Sequence, residues 1–73
     1  MESIDFLHAE RIFTIHFRDD LTFVDVRKIL DTLLSRNAFD PEVQQETDWY
    51  SLDFGHAAFS VWVSHMHVVI EQH

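Results

Sequence analysis

The stretch from Asp48 to Val63, DWYSLDFGHAAFSVWV, leaves little freedom in how it can fold. It contains the only glycine of the chain, Gly55. A two-residue turn at Gly55-His56 places that glycine at the first central position, as a type II′ hairpin turn requires. The turn pairs Phe54 with Ala57, Leu52 with Phe59 and Tyr50 with Val61, six side chains that share one face and suit a core. On the other face it pairs Asp53 with Ala58, Ser51 with Ser60 and Trp49 with Trp62. One register satisfies the turn chemistry and the alternation together, and a one-residue slip would turn every apolar side chain outward. A three-residue loop is the alternative; it blurs the Trp pair without moving Trp62 to the core.

The segment after the hairpin changes phase. Phe59, Val61 and Val63 are core positions on odd numbers, whereas Val68 and Ile70 fall on even ones. A strand cannot switch faces without a bulge or a turn. A turn around His65-Met66 is expected, followed by a strand from about His67 to Gln72. A bulged continuous strand is the other solution, since no Gly or Asn marks the turn.

Upstream, RIFTIHFR over residues 11–18 alternates cleanly. Phe13, Ile15 and Phe17 face one way, and Ile12, Thr14, His16 and Arg18 the other. SIDFLH over residues 3–8 reads as a further short strand at an edge, without a clean period. Residues 22–36 carry the helical pattern. Phe23, Val26, Ile29, Leu30, Leu33 and Leu34 make one apolar stripe, with Asp25, Lys28, Thr32 and Ser35 opposite. Thr22 is placed as the N-cap, with Asp25 as an acidic capping-box partner and Leu21 and Val26 as a hydrophobic staple. Arg27 and Asp31 are spaced for an i,i+4 pair. Asn37 suits the left-handed position after the helix. The connection AFDPEVQQET, residues 38–47, carries a helix-start signal at Asp40-Pro41-Glu42. It predicts a single helical turn over about 41–46, too short and too polar for the core.

These elements give an α+β domain over residues 1–73. Its fold is an antiparallel sheet of three to five strands with one amphipathic helix on one face, in the order (β)β-α-β-β-β. With 73 residues such a domain buries only about 60% of its unfolded surface. Chains of this size usually add disulfides, a metal or a second copy. Cysteine is absent, which excludes disulfides and thiolate metal sites. A reducing, cytoplasmic location is the default expectation. There is no apolar run long enough for a transmembrane helix, and MESIDFLHAER lacks the basic and apolar regions of a signal peptide.

Charge narrows the functional classes. The formal net charge is −8. All five basic residues, Arg11, Arg18, Arg27, Lys28 and Arg36, precede the six acids Asp40, Glu42, Glu46, Asp48, Asp53 and Glu71. Like-charge repulsion disfavours nucleic acid or an anionic membrane as a direct partner. Stacking of bases on the Trp residues would need a basic groove, which the sequence does not interleave with them. A single glycine, used in a turn, leaves none for a nucleophile elbow, a P-loop or a dinucleotide fingerprint. Ser51, His56 and Asp53 therefore form a triad in composition only. No cofactor and no catalytic residue is expected.

Three readings remain. The first is a non-enzymatic protein acting through protein–protein contact, as a homodimer or with another protein. Its contact surface would be the outer sheet face with Trp49, Trp62, Ile12, Ser51 and Ser60. Two Trp are costly to leave in water, so either that face is an interface or the N-terminal strand or the 38–47 connection folds over it. The second reading is an acidic inhibitor or DNA mimic of the kind phages and mobile elements use, with Asp40, Glu42, Glu46, Asp48 and Asp53 standing in for phosphates. A regular carboxylate spacing on one exposed face would support it. The third is a metal site on His65 and His67, which would share one side of a strand, with His56, Asp53 or His73 completing a set. Titration of the same histidines near pH 6.5 would also offset the acidic half and make association pH-dependent.

Overall fold

A computed structural model describes every residue from Met1 to His73 except Gln45. The elements are β1 (Glu2–His8), β2 (Arg11–Phe17), α1 (Phe23–Ser35), β3 (Asp48–Asp53), β4 (Ala58–Ser64) and β5 (His67–Gln72). The five strands form one sheet in the order β1-β2-β5-β4-β3. The α+β class, the helix on one face and the element order are as the sequence implies. One ladder corrects the expectation of an antiparallel sheet: β5 pairs with β2 in parallel, Ile15 beside Val68 and His16 beside Val69. β5 is thus the central strand, between β2 and β4. Its inward residues Val68 and Ile70 are almost fully buried, which only a position over the helix could provide.

The hairpin of β3 and β4 has the register dictated by Gly55. Leu52 lies opposite Phe59, Tyr50 opposite Val61 and Trp49 opposite Trp62. Gly55 has φ +88°, and its N–H donates to Asp53 Oδ1 at 2.8 Å. The phase change after Val63 is a turn, not a bulge. His65 carries φ +49°, and Ser64 pairs with His67 as β5 returns antiparallel to β4.

The β1–β2 turn carries little sequence signal. His8 pairs with Arg11, so Ala9 and Glu10 are the two central residues, at φ +51° and +63°. Positive φ at both positions is the requirement of a type I′ turn, normally filled by Asn-Gly. An Ala and a Glu there are held in a conformation that costs each about 1 kcal/mol. Substituting Ala9→Asn together with Glu10→Gly is expected to stabilise the domain by about 1 kcal/mol, a rise in Tm of roughly 4–8 °C for a chain of this size. A melting temperature that falls in the double variant would show that Ala9 or Glu10 makes a contact worth more than the strain.

The helix is delimited as its sequence prescribes. The Asp25 N–H donates to Thr22 Oγ1 at 3.2 Å, and the Thr22 hydroxyl donates to Asp25 Oδ2 at 3.2 Å. At the other end Asn37 takes φ +56°. The Asn37 N–H reaches the Leu34 carbonyl and the Ala38 N–H reaches the Leu33 carbonyl. Those two bonds define a Schellman motif. Arg27 pairs with Asp31 at 3.2 Å. Phe23 departs from the expected stripe. The buried helical residues are Val26, Ile29, Leu30 and Leu33, while Phe23 is 77% exposed. It is the first helical residue, at the exposed end of the stripe.

The connection corrects the reading more strongly. Ala38 and Phe39 are buried in the core. The Phe39 ring packs on Phe13 at 4.7 Å and on Phe6 at 5.4 Å between centroids. The Arg11 guanidinium lies over the Phe13 ring and donates to the Phe39 carbonyl. Residues 40–44 make one hydrogen-bonded turn, with the Val43 and Gln44 N–H groups donating to the Asp40 carbonyl, the second an i→i+4 bond as in a single helical turn. The expected helical turn over 41–46 includes Gln45, which lies outside the described residues.

Candidate functional site

Alternation assigns the outward residues of every strand: Ser3, Asp5 and Leu7 on β1; Ile12, Thr14 and His16 on β2; His67, Val69 and Glu71 on β5; Ala58, Ser60, Trp62 and Ser64 on β4; and Trp49, Ser51 and Asp53 on β3. The helix and the core lie on the opposite face. Neither expected cover reaches the outer one: β1 joins the sheet edge beside β2, and the connection sends Phe39 into the core on the helix side. Among the described residues nothing is layered over this face. One row crosses all five strands in the order Trp49, Trp62, Val69, His16, Ser3. Leu7 and Ile12 pair at the end of β1 and β2.

The face is polar for the most part but carries several large apolar side chains. Trp49 is 60% exposed, Ile12 57% and Leu7 70%. Trp62 and Val69, between neighbours, are half-buried. The sequence placed Trp49, Trp62, Ile12, Ser51 and Ser60 here, and all five are here. Leu7 and Val69 were missed. Leu7 belonged to a strand without a clean period, and Val69 faces outward only because a turn resets the phase at His65. Ser60 is 3% exposed, and its hydroxyl is hydrogen-bonded to His73 Nε2. The His73 N–H donates to the Ala58 carbonyl at 2.9 Å, so the final residue lies along β4.

Formal charge is confined to the margins of the face. Asp5 and Asp53 are on the two edge strands, and Glu71 is near the end of β5. Thr14, His16, Val69, His67, Trp62, Ser60 and Ser64 between them carry no carboxylate, although the chain has 13 acidic residues.

The five carboxylates of the acidic-patch reading are spread over the turn at 40–44, the segment before β3 and both ends of β3. Asp40 Oδ1 accepts from the Glu42 N–H at 2.9 Å, and Asp53 from Gly55. Glu42 and Glu46 are exposed; Asp48 is half-buried on the inward register beside Val63.

The histidines do not fall as the His65-x-His67 spacing suggests. His65 is a turn residue with positive φ, and its carbonyl accepts from Gln44 Nε2 at 3.0 Å. It does not share a strand face with His67. No group of three or more metal-ligating side chains is present among the described residues. Instead His67 meets His16, 51 positions away, with Nδ1 3.1 Å from His16 Nε2. Their ring planes are 13° apart and the centroids 5.4 Å apart. Imidazoles in contact through nitrogens 3.1 Å apart reach that centroid separation only when both nitrogens lie on the line between the centroids. The rings therefore meet edge to edge, with one hydrogen shared as N–H···N, and they are not stacked.

Ser51, His56 and Asp53 are not assembled for catalysis. His56 Nε2 is 3.1 Å from Asp25 Oδ1 on the helix, tying the hairpin tip to the helix start. That hydrogen bond, ahead of the bond from Thr22, holds the Asp25 carboxyl below the usual carboxylate range. A depressed carboxyl contributes stability above its unfolded value of 3.8 and loses it as the pH falls through the folded value. Replacing His56 by Ala is expected to return the Asp25 titration, followed by NMR, towards that unfolded value. An unchanged titration would assign the depression to Thr22.

No family model, curated protein or solved structure matches the chain. No helix of the described residues is long and apolar enough to cross a membrane.

Proposed function

We propose that this protein acts by protein–protein contact without a catalytic step, as a homodimer whose two copies meet through the outer sheet face. The carrying observation is the uncovered row of Trp49, Trp62 and Val69, with Leu7 and Ile12 as a separate apolar pair at the end of β1 and β2. A marginal core of this size gains most from a second layer on the open side of its sheet, and stacked sheets pack about 10 Å apart with interdigitating side chains. Self-association is favoured over another partner by the charge distribution. A chain of net charge −8 can meet its own copy only through a surface cleared of carboxylates, and the acids stand at the margins of this one. The molecule measures 32 × 21 × 18 Å, so its broad side offers on the order of 600 Å² in projection, against roughly 800 Å² per partner in a standard interface. The absence of cysteine fits a reducing, cytoplasmic setting. The acidic-inhibitor reading draws less support, because its carboxylates share no single face.

Sedimentation equilibrium of the wild type beside Trp62→Ala and Trp49→Glu tests the proposal. A dimeric wild type with monomeric, folded variants is expected. A wild type that stays monomeric at high micromolar concentration would sink the homodimer.

A further inference from the structure

The imidazole pair on the same face has a property that its exposure alone does not explain. Among the six histidines, His16 and His67 are held ring to ring by their positions on the adjacent parallel strands β2 and β5. They sit diagonally across that ladder, directly beside Val69 in the apolar row. As a neutral pair they satisfy each other: one inner nitrogen donates, the other accepts, and only His16 Nδ1 and His67 Nε2 face outward. A neutral, internally bonded pair can be covered at small cost. A protonated one cannot, because burying an imidazolium without a carboxylate costs several kcal/mol.

We infer that the His16–His67 pair gates the face-to-face association, which is strong while the pair is neutral and lost when the pair takes up a proton. This rests on the homodimer proposed above. The first added proton converts N–H···N into an imidazolium–imidazole contact carrying one positive charge. A second would place hydrogens on both inner nitrogens and break the bond. Either state brings charge into the middle of the interface, where neither ring is ion-paired with a carboxylate of the described residues. On β1, Asp5 faces outward opposite Thr14 and forms no ion pair with either ring. Just after β2, Arg18 is engaged with Asp20 at 3.2 Å. On β5, Glu71 lies beyond Val69, opposite Ser60. The residues of β4 nearest the pair, Ser64 and Trp62, are uncharged.

The direction is opposite to the one that net charge dictates. Lowering the pH protonates histidines throughout the chain, shrinks the −8 charge and weakens repulsion between copies. Repulsion alone therefore makes the dimer tighter in acid. The gate makes it weaker, and salt separates the two effects, because exposed charges are screened within about 10 Å at 0.1 M whereas a buried cation is screened far less.

The experiment is sedimentation equilibrium of the full chain at about pH 8 and about pH 5.5 in roughly 0.3 M salt, a range in which imidazoles titrate and carboxylates stay ionised. It compares the wild type with the neutral double variant His16→Gln/His67→Gln. The wild-type Kd is expected to rise by about tenfold or more at the lower pH, while the variant stays within about threefold. Circular dichroism at both pH values confirms that each chain is folded. A wild-type dimer that tightens or holds constant in acid overturns the gate and leaves the homodimer standing. An acid-induced loss equal in the double variant also overturns the gate, assigning the effect to other histidines. A wild type that is monomeric at both pH values overturns the homodimer and the gate with it.

Discussion

Phe39→Ala is expected to remove about 3–5 kcal/mol of folding stability, the cost of truncating a fully enclosed phenylalanine. The side chain is 2% exposed and contacts Phe13, Phe6 and, at 6.0 Å, the His8 ring. A chain of 73 residues has in total about 4–11 kcal/mol to lose. The variant should therefore be partly or wholly unfolded at 37 °C. Three elements depend on this ring: the β1–β2 hairpin beneath it, the C-terminal end of α1 just before it, and the connection it anchors. Urea unfolding, followed by Trp fluorescence, provides the measurement. It should be made in the Trp49→Glu background, because a dimer would make apparent stability depend on concentration. A loss below about 1 kcal/mol would mean that the ring can leave its site without a cavity remaining.

The second large effect concerns association. Trp49 is 60% exposed at the end of the cross-strand row. Covering the rest of its surface is worth about 3 kcal/mol per protomer at 25 cal/mol per Å². Trp49→Glu forfeits that in both copies and also sets a carboxylate against the partner. The combined loss of about 6 kcal/mol weakens a dimer by on the order of 10⁴-fold. The variant should be monomeric at every accessible concentration. Its fold should persist, because the Trp49 side chain points away from the core. Ile12→Glu, on β2 at the other side of the sheet and 57% exposed, should have the same effect in kind. If Ile12→Glu dissociates the dimer and Trp49→Glu does not, the contact is centred on β1 and β2. If neither does, the copies meet elsewhere.

Both effects arise from placements of unequal legibility. Trp49 faces outward by local rules alone: Gly55 fixes the turn, the turn fixes the register, and the register fixes the face. Phe39 was hidden because the segment 38–47 is polar on average, and average polarity says nothing of its first two residues. A signal was present. Asn37 predicted a left-handed cap, and such caps are accompanied by an apolar contact from the residue after them. Ala38 takes that position with no exposed surface, and Phe39 follows it into the core. Phe23 failed in the reverse sense: period 3.6 puts it on the stripe, yet as the first helical residue it stays exposed.

The sequence by itself determined features governed by neighbours along the chain: the limits of α1 at Thr22 and Asn37, the alternation of β2 and the placement of Trp62 away from the core. It favoured the β3–β4 register and the turn after Val63 while leaving a three-residue loop and a bulge open. Each depends on backbone dihedrals and side-chain alternation over a few residues. Only the tertiary structure decided that β5 enters between β2 and β4 in parallel with β2, because burial of Val68 and Ile70 beneath the helix selects that slot among several that strand pairing allows. Two consequences follow that local rules could not supply. His16 meets His67 across 51 residues, and neither β1 nor the connection lies over Trp49, Trp62 and Val69. The physical reason is common to both: turns and caps act between residues a few positions apart, whereas the order of strands is set by which apolar side chains can be enclosed together.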